Sequence, residues 1–355
     1  MSYKIIVGTK DFMEFLRGKK ATFFLSLSTT KTCEIEGLTQ AGIPGKIYLT
    51  PTLDAEFVCT GELRSLDGVV KTSKGVPTPA LITRAVHLLH PFSNIELLDL
   101  GMQVKPKIDF FKVHNLDIHP SDSIATGANI DAMTLFQKGV DFGKEYECQD
   151  DYIILGESVP SGTTTAYATA KALDYECDDK FSSSYKTSPK AVRAQVLQQA
   201  LENIKDKEDL FDKVGQVADN MLIFNAGFIL GAAYKQTKIV LAGGTQMACV
   251  LLLVNAIVRY MGGSLQSDNL ALCTTSWVHE DENSDIQALL EMLDFPINAY
   301  SADFNFASST HPALKLYDEG EAKEGVGAGA ALVYGLVNGV SKEQIIGTLE
   351  TFLKA

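Results

Sequence analysis

Short apolar runs alternate with longer helical patterns along this chain, and this alternation restricts the fold more than any other feature. Each run is rich in β-branched or apolar residues and leads into Gly, Ser or Asp; the runs cover residues 21–27, 95–100, 152–155, 238–242 and 270–275. Such alternation is typical of parallel strands joined by crossover helices. Unbroken apolarity in the third and fourth runs is expected for strands covered on both faces. The sequence therefore predicts an α/β fold: a Rossmann-like, mostly parallel sheet flanked by helices, with a smaller subdomain built from terminal segments.

The segments around these runs predict the rest of the organisation. With 355 residues, the chain can bury a large core. We expect residues 1–75 to form an N-terminal segment that packs on a main α/β unit of residues 76–355. Residues 220–233 are apolar almost all round and predict a helix buried against the sheet or in an oligomer interface. Residues 189–215 predict one long surface helix that starts at Pro189. Two polar stretches predict exposed loops: residues 178–188 and 279–282.

The net charge and the cysteine pattern limit the classes of partner and the compartment that we expect for this protein. The net charge is −13 and no long basic run is present, so the attraction that drives nucleic-acid binding is missing. An anionic ligand must then be bound by local devices such as helix N-termini. The six cysteines are scattered, without a C-x-x-C motif, as in proteins of reducing compartments. The N-terminus has no signal-peptide pattern, and the longest apolar run, 247–258, is too short to span a bilayer. We expect a cytoplasmic protein with neither a membrane nor a nucleic acid as partner.

A first candidate ligand site follows the run at 152–155. Gly156-Glu157 ends the run, a Pro/Gly loop follows, and residues Thr163 to Thr165 begin a helical pattern. Hydroxyls and free N–H groups at a helix start suit a phosphate or a ribose. The alternative is a simple Thr N-cap. One threonine is enough for a cap, and three β-branched residues are poor helix formers, which favours ligand binding.

Two further glycine turns precede helices. One is Gly243-Gly244-Thr245 after the run at 238–242; the other is Gly325-Val326-Gly327, directly after Glu324. Glu324 is a lone carboxylate where an anion would otherwise be welcome, so it is either a functional group or an acid favoured by the helix dipole. Neither turn matches the dinucleotide or P-loop pattern. The six histidines form no metal-spaced cluster, and we expect no metal and no cofactor.

These turns resemble the nicotinate-nucleotide–dimethylbenzimidazole phosphoribosyltransferase family. Its members carry a Gly-Glu loop that ends in Thr-Thr before a helix, and a late Glu-Gly-x-Gly-Ala segment that holds the catalytic glutamate. The corresponding residues here are 156–164 and 324–328, and the resemblance covers roughly residues 150–340. The loop 158–162 and the segment 243–245 depart from the family pattern, and the first 70 residues look like those of a divergent branch.

The resemblance implies transfer of the 5-phosphoribosyl group from nicotinate mononucleotide to a benzimidazole-type or purine base, with release of nicotinate. The product would be an α-riboside phosphate for the lower ligand of cobalamin, made by a homodimer. Glu324 would be the catalytic base and Glu157 a second catalytic residue. Lys190 resembles the family's phosphate lysine or is a plain surface lysine, and Thr78-Pro79 forms either a wall of the base pocket or an ordinary turn. The expected substrate-binding residues are Ser161, Gly162, Thr163, Thr164, Lys190, Gly243, Gly244, Gly325, Val326, Gly327, Thr78 and Pro79.

Two other functions remain open from the sequence. The chain could be a transferase or hydrolase that acts on another nucleotide. It could also be a binding protein without catalytic activity. Binding of nicotinate mononucleotide would distinguish the phosphoribosyltransferase from enzymes that act on unrelated ligands. Turnover with a benzimidazole would distinguish an enzyme from a binding protein.

Overall fold

The computed structural model describes residues 2–66, 71–72 and 74–354. These residues form one eight-stranded sheet flanked by helices on both faces. The strands are β1 (Tyr3–Val7), β2 (Ala21–Leu27), β3 (Asn94–Asp99), β4 (Lys112–Asn115), β5 (Tyr152–Ser158), β6 (Ile239–Ala242), β7 (Leu270–Thr274) and β8 (Asn298–Ala302).

The strand order across the sheet is β1-β8-β7-β6-β5-β2-β3-β4. All neighbours run parallel except β1, which pairs antiparallel with β8. Along the chain, β2 to β4 extend the sheet in one direction, whereas β5 to β8 extend it in the other. The order therefore reverses between β2 and β5, and loops that follow adjacent strands part there and leave a crevice.

Fourteen α-helices are present in the described part of the chain, with short 3-10 turns at Lys31–Glu34 and Ile47–Leu49. The helices are α1 (Asp11–Leu16), α2 (Thr50–Thr60), α3 (Ala80–Leu89), α4 (Ala132–Glu145), α5 (Gly162–Ala172), α6 (Lys190–Glu202), α7 (Leu210–Val217), α8 (Asn220–Ala233), α9 (Thr245–Tyr260), α10 (Ser276–His279), α11 (Ile286–Leu290), α12 (Pro312–Asp318), α13 (Ala328–Val337) and α14 (Lys342–Phe352).

Two hydrophobic cores cover the two faces of the sheet, because successive side chains of a strand point to opposite sides. Phe23 and Leu25 of β2 belong to the core that contains α3, α13 and α14. Phe24 belongs to the other core, with α4, α8 and α9. The central strands β2, β5, β6 and β7 are buried along their whole length. The Rossmann-like α/β fold predicted from the alternation is therefore confirmed.

The predicted details differ in their outcomes. The five predicted strands are present, and residues 220–233 form the buried helix α8. The single helix over 189–215 is wrong: α6 ends at Glu202, and the Asp209 carboxylate caps the separate helix α7. Both loop predictions hold only in part: Asp178, Asp179, Glu280 and Glu282 are exposed. Phe181 and Ser182 are buried, and the Asp281 side chain is almost fully buried in an ion pair.

The boundary at residue 75 stays a prediction. Residues on both of its sides share the one sheet, since β2 lies between β3 and β5. Helix α9, which contains the longest apolar run, has 16 residues. Among the described residues, no helix has the length and apolarity needed to cross a membrane.

Candidate active site

A cleft opens at the carboxyl ends of the central strands, next to the point where the strand order reverses. It contains about 880 Å³ of space free of protein atoms, its open mouth included. Its walls come from the loops that follow β2, β5, β6 and β7, from α2, and from the segment before α13. All three glycine turns of the sequence contribute to it or lie directly behind it. This is the place where open α/β sheets bind ligands.

Glu157 lies near the end of β5 and is 3 % exposed. Its Oε2 accepts hydrogen bonds from the main-chain N–H of Val159 at 3.1 Å and from the Gln246 side chain at 3.0 Å. Its Oε1 accepts no hydrogen bond from any described residue. Burial raises the pKa of Glu157 to about 8, and the nearby charges of Glu324 and Asp219 add to that rise. At neutral pH this carboxyl is mostly protonated.

Glu324 is bonded through both carboxylate oxygens. Oε1 accepts the main-chain N–H groups of Gly325 at 3.1 Å and Gly329 at 3.0 Å. Oε2 accepts the Thr275 N–H at 2.8 Å and the Thr274 hydroxyl at 3.1 Å. Burial raises the pKa of Glu324 to about 7, although these four hydrogen bonds oppose the rise. The side chain therefore switches between base and acid close to neutral pH.

The turn after Glu324 needs an unusual backbone. Three consecutive residues have positive φ: Gly325 at 140°, Val326 at 55° and Gly327 at 71°. The left-handed region is costly for a β-branched residue such as Val326 and is held only by strong surroundings. Here the Val326 N–H donates to the Glu157 carbonyl at 2.8 Å, and its carbonyl accepts the Thr83 hydroxyl at 2.7 Å. The strained turn thus ties the two glutamates' segments together.

Gly325, Val326 and Gly327 are among the expected substrate-binding residues, but two of their three main-chain N–H groups are already used within the protein. The N–H groups of Gly325 and Gly329 already donate to Glu324, and that of Val326 donates to Glu157. The N-terminus of α13 therefore holds the protein's own carboxylate. The structural alternative for Glu324 is therefore realised, since the helix start holds its carboxylate. The side chain also lines the cleft, so its functional role stays a prediction.

The start of α5 carries a hydroxyl donor that no described residue uses. Ser161 precedes this helix with φ 68°, is 4 % exposed, and lines the cleft together with Gly162 and Thr163. Its Oγ is buried and has no hydrogen-bond partner among the described residues. Buried hydroxyls are nearly always paired, so an unpaired one at a helix N-terminus indicates a place for a ligand anion.

Two buried cations lie behind this helix start. Arg193 of α6 donates to the carbonyls of Phe181 at 2.9 Å and Thr163 at 2.8 Å. Lys323 is 3 % exposed and lines the cleft, where its Nζ lies 3.1 Å from Asp281 and donates to two carbonyls of the loop 183–185. Burial lowers the pKa of Lys323. Of the residues described, Lys323 is the one basic residue among those that line the cleft.

Most of the predicted site residues converge, and four do not line the cleft. Of the two alternatives for Lys190, the plain surface lysine fits the structure: its side chain is 73 % exposed and its Nζ lies 3.4 Å from Asp179. Lys190 is the first residue of α6 and does not line the cleft. The other three, Thr164, Gly243 and Gly327, lie just behind the lining residues. The residues that do line the cleft are Glu157, Ser161, Gly162, Thr163, Gly244, Glu324, Gly325, Val326, Thr78 and Pro79.

Sequence reasoning missed Asp54, Gln40, Lys323 and the loop 182–184, all of which line the cleft. Asp54 is 2 % exposed and accepts the hydroxyls of Thr78 and Ser158, each at 2.7 Å. One signal was available, since charged residues stood in the apolar pattern of α2. Within the described ranges, no three His, Cys, Asp or Glu side chains are grouped as metal ligands would be.

Comparison with known proteins places the chain in a family. A UPF0284 protein of Sulfurisphaera tokodaii is 35 % identical over 353 residues, which are 99 % of this chain and 97 % of its own length. This chain belongs to the UPF0284 family. Further UPF0284 relatives from Sulfolobus acidocaldarius and Aeropyrum pernix are 32 % and 34 % identical, over 96 % and 94 % of this chain and 98 % and 92 % of their own. Residues 93–269 also match the model of a phosphoribosyltransferase family.

Solved structures agree with this assignment at the level of the fold. Nicotinate-nucleotide-dimethylbenzimidazole phosphoribosyltransferase from Thermus thermophilus aligns with a TM-score of 0.58 at 15 % identity, over 93 % of this chain and 83 % of that one. CobT from the same organism gives 0.57 at 15 % identity, over 93 % and 84 %. The resemblance expected from the sequence is therefore confirmed: residues 93–269 match a phosphoribosyltransferase family, and relatives that carry the UPF0284 name are consistent with a divergent branch of it.

Proposed function

We propose that this UPF0284 protein transfers the 5-phosphoribosyl group of nicotinate mononucleotide to a ring nitrogen of an aromatic base and releases nicotinate. The observation that supports the proposal best is the Glu324 carboxylate. It lines the cleft, its pKa is raised to about 7, and main-chain donors fix its orientation. A positioned base with a pKa near the working pH is the most efficient proton acceptor.

The reaction needs one such group. The azole nitrogen attacks C1′ of the nucleotide, the C1′–N bond to nicotinate breaks, and its electron pair neutralises the departing pyridinium ring. The leaving group takes no proton, so no general acid is required. The incoming azole must lose its N–H proton, which Glu324 accepts. Inversion at C1′ then gives the α-riboside phosphate.

The remaining parts of the cleft suit the nucleotide. Its 5′-phosphate would lie at the α5 start, where the unpaired Ser161 hydroxyl supplies a donor and the positive end of the helix dipole favours an anion. Arg193 would offset its charge from behind, since it donates to the Thr163 carbonyl in the first turn of α5, whereas the charge of Lys323 is already paired with Asp281. An acidic protein can bind an anion in this way without a broad basic surface.

The test is turnover by the purified full chain. It is mixed with nicotinate mononucleotide and one base at a time (5,6-dimethylbenzimidazole, benzimidazole or adenine), and nicotinate and the riboside phosphate are measured by chromatography with mass detection. Equal amounts of both products support the proposal. Binding of nicotinate mononucleotide without product from any base would make the chain a nucleotide-binding protein. Absence of binding would contradict the proposal altogether.

A further inference from the structure

The polar side chains around Asp54 offer a ligand only hydrogen-bond acceptors, because their own donor protons are already used within the protein. Asp54 lies on α2, lines the cleft, and accepts one hydroxyl at each carboxylate oxygen, from Thr78 and from Ser158. A carboxylate has about four acceptor positions. Two of them are filled, so Asp54 can accept further hydrogen bonds from a ligand.

The two hydroxyls that point to Asp54 cannot donate elsewhere. The Thr78 hydroxyl proton is committed to Asp54 while its oxygen accepts the Ala80 N–H at 3.3 Å. The Ser158 proton is committed to Asp54 as well, and its oxygen lone pairs stay free. A hydroxyl has one proton and two lone pairs. Both residues line the cleft and can offer it only acceptors.

Gln40 adds a further acceptor. Its Nε2 donates to the Ser184 carbonyl and to the Glu321 carboxylate, which fixes the orientation of the amide. Its Oε1 is buried without a hydrogen-bond partner among the described residues, although Gln40 is only 4 % exposed and lines the cleft. A buried unpaired carbonyl is costly. This observation is independent of Asp54 and indicates a donor on the ligand.

Asp54, Thr78 and Ser158, called the acceptor group from here on, border the proposed catalytic residues Glu157 and Glu324. Ser158 directly follows Glu157 in the sequence. On the other side, Thr78 leads into Pro79, whose ring would lie 3.7 Å from a Cβ added at Gly325. The negative charges of Asp54 and Glu324 both contribute to raising the pKa of the buried Tyr317. The Tyr317 hydroxyl donates to the Pro77 carbonyl at 2.6 Å. The acceptor group thus lies beside the proton acceptor, where the incoming base must be held.

We propose that Asp54, with Gln40 and the hydroxyls of Thr78 and Ser158, selects an aromatic base that carries a hydrogen-bond donor, such as an amino or hydroxyl group, besides its attacking nitrogen. An alkyl edge, as in 5,6-dimethylbenzimidazole, would bury these acceptors without a partner. Sites built to pair with a polar group reject the analogue that lacks it far more strongly than apolar pockets reject an extra group. The inference rests on the proposed function and narrows its acceptor.

A near-isosteric pair of bases provides the test. The full chain is given 5-aminobenzimidazole or 5-methylbenzimidazole, and kcat/KM is measured at saturating nicotinate mononucleotide; calorimetry gives the Kd of each base with the same nucleotide present. We expect the amino compound to be favoured by at least about tenfold. Equal values, or a preference for the methyl compound, would overturn the inference while leaving the transferase reaction intact.

Asp54→Asn identifies the residue responsible. It keeps the size of the side chain and replaces an acceptor by a donor, so we expect the amino preference to fall by about tenfold or more with little change in the KM of nicotinate mononucleotide. Glu56→Gln is the matched control on the same helix, because Glu56 is buried but does not line the cleft. An amino preference that Asp54→Asn leaves unchanged would overturn the role of Asp54.

The wild-type preference needs no variant, so it tests the donor requirement even if Asp54→Asn does not fold. The binding measurement also separates the two proposals. Tighter binding of the amino compound without any nicotinate release would contradict the proposed reaction and support the donor requirement. Binding of neither base would overturn the requirement.

Discussion

Replacing Glu324 by glutamine changes one oxygen of the cleft to an amide nitrogen and removes the proposed base. The Gln carbonyl oxygen can keep the N–H groups of Gly325 and Gly329, which now donate to Oε1. The new nitrogen faces the Thr275 N–H, which loses its acceptor, whereas the Thr274 hydroxyl can rotate and accept. The structural cost is therefore one buried N–H left unpaired, about 1–3 kcal/mol. A domain stable by about 5–15 kcal/mol stays folded after this loss.

The expected effect on the reaction is much larger. Loss of a positioned general base lowers kcat by about 10²–10⁴-fold, while the affinity for nicotinate mononucleotide stays close to that of the wild type. The assay measures nicotinate release at saturating substrates, with urea unfolding and calorimetric titration of the nucleotide on the same preparation. A variant that is folded, binds the nucleotide and keeps more than about a tenth of the wild-type kcat would refute the assignment. Glu157, with its unpaired Oε1, would then be the next candidate.

Glu56→Gln is a matched control for the structural cost. Glu56 of α2 is also buried and also accepts four hydrogen bonds, from Arg64, Lys107 and twice from Ser65. It lies outside the cleft. We expect this variant to lose stability to a similar degree and to retain its rate. A comparable rate loss in both variants would show that Glu324 acts only through the fold.

The pH dependence tests the same assignment in the wild type. The carboxyl must be ionised to accept a proton, and burial raises its pKa to about 7. We expect kcat/KM for the base to rise with pH, to reach half its maximum near that value, and to level off above it. The sign for stability is the opposite: a folded pKa above the ordinary value of 4.5 means that the folded state binds the proton more tightly, so this stabilisation is complete below the unfolded pKa and is lost as the pH rises through about 7.

Two further predictions test the phosphate end and the packing around Glu324. Ser161→Ala should raise the KM of nicotinate mononucleotide by about tenfold or more, whereas Lys190→Ala should leave it within about twofold; steady-state kinetics decides, and the reverse order would return the phosphate to the lysine. Gly329→Ala places a Cβ against the Thr274 backbone and 2.5 Å from Glu324 Oε2, so nicotinate release should be lost. Gly347→Ala in α14 is the control, because the added Cβ would have no described atom within 4 Å apart from the backbone of its own helix. This control should retain activity and gain about 0.5–1 kcal/mol in unfolding free energy.

The fold could be predicted where strands are apolar along their whole length. The runs that became β2, β5, β6 and β7 are buried on both faces, so nearly every residue reports the environment. β4 and β8 are not among the predicted strands, because their sequences are not apolar along their whole length. β4 (Lys112–Asn115) is a mostly exposed edge strand of polar residues, and β8 (Asn298–Ala302) is made of small and polar ones. Their pairing depends on neighbours that are distant in the sequence.

The site shows the same division. Glu157 and Glu324 stand beside glycines, and a glycine turn before a helix is a local signal. Asp54 and Gln40 have no such signal: one lies within a helix and the other in an irregular loop, and only the fold brings them to the carboxyl ends of the strands. Lys190 is the opposite case: it stands at a predicted helix start, where a local signal was present, but its side chain is exposed and contacts Asp179.

In the proposed reaction, the distribution of charge in the cleft would let one carboxylate serve as base beside an anionic substrate. Asp54, Glu157 and Glu324 all line the cleft, with Lys323 as the basic residue found among its described lining. Three full negative charges would repel a phosphate. The pKa of Glu157 is raised to about 8 and that of Glu324 to about 7, so near neutral pH the first is mostly neutral and the second is about half ionised.

The causes of these pKa shifts favour one assignment of roles in the proposed reaction. The pKa of Glu157 is raised by burial and further by the charge of Glu324, whereas the pKa of Glu324 is raised by burial against four hydrogen bonds that stabilise its charged form. Glu324 is therefore the better candidate for the base, and Glu157 is the carboxyl more readily held protonated. Glu157 can instead donate a hydrogen bond to a substrate through its unpaired carboxyl oxygen. The charge of Glu324 supports this assignment, because ionisation of Glu324 raises the pKa of Glu157 and favours its neutral form. In the proposed reaction, one negative charge would thereby lie where the proton must go, and the phosphate would bind at the start of α5.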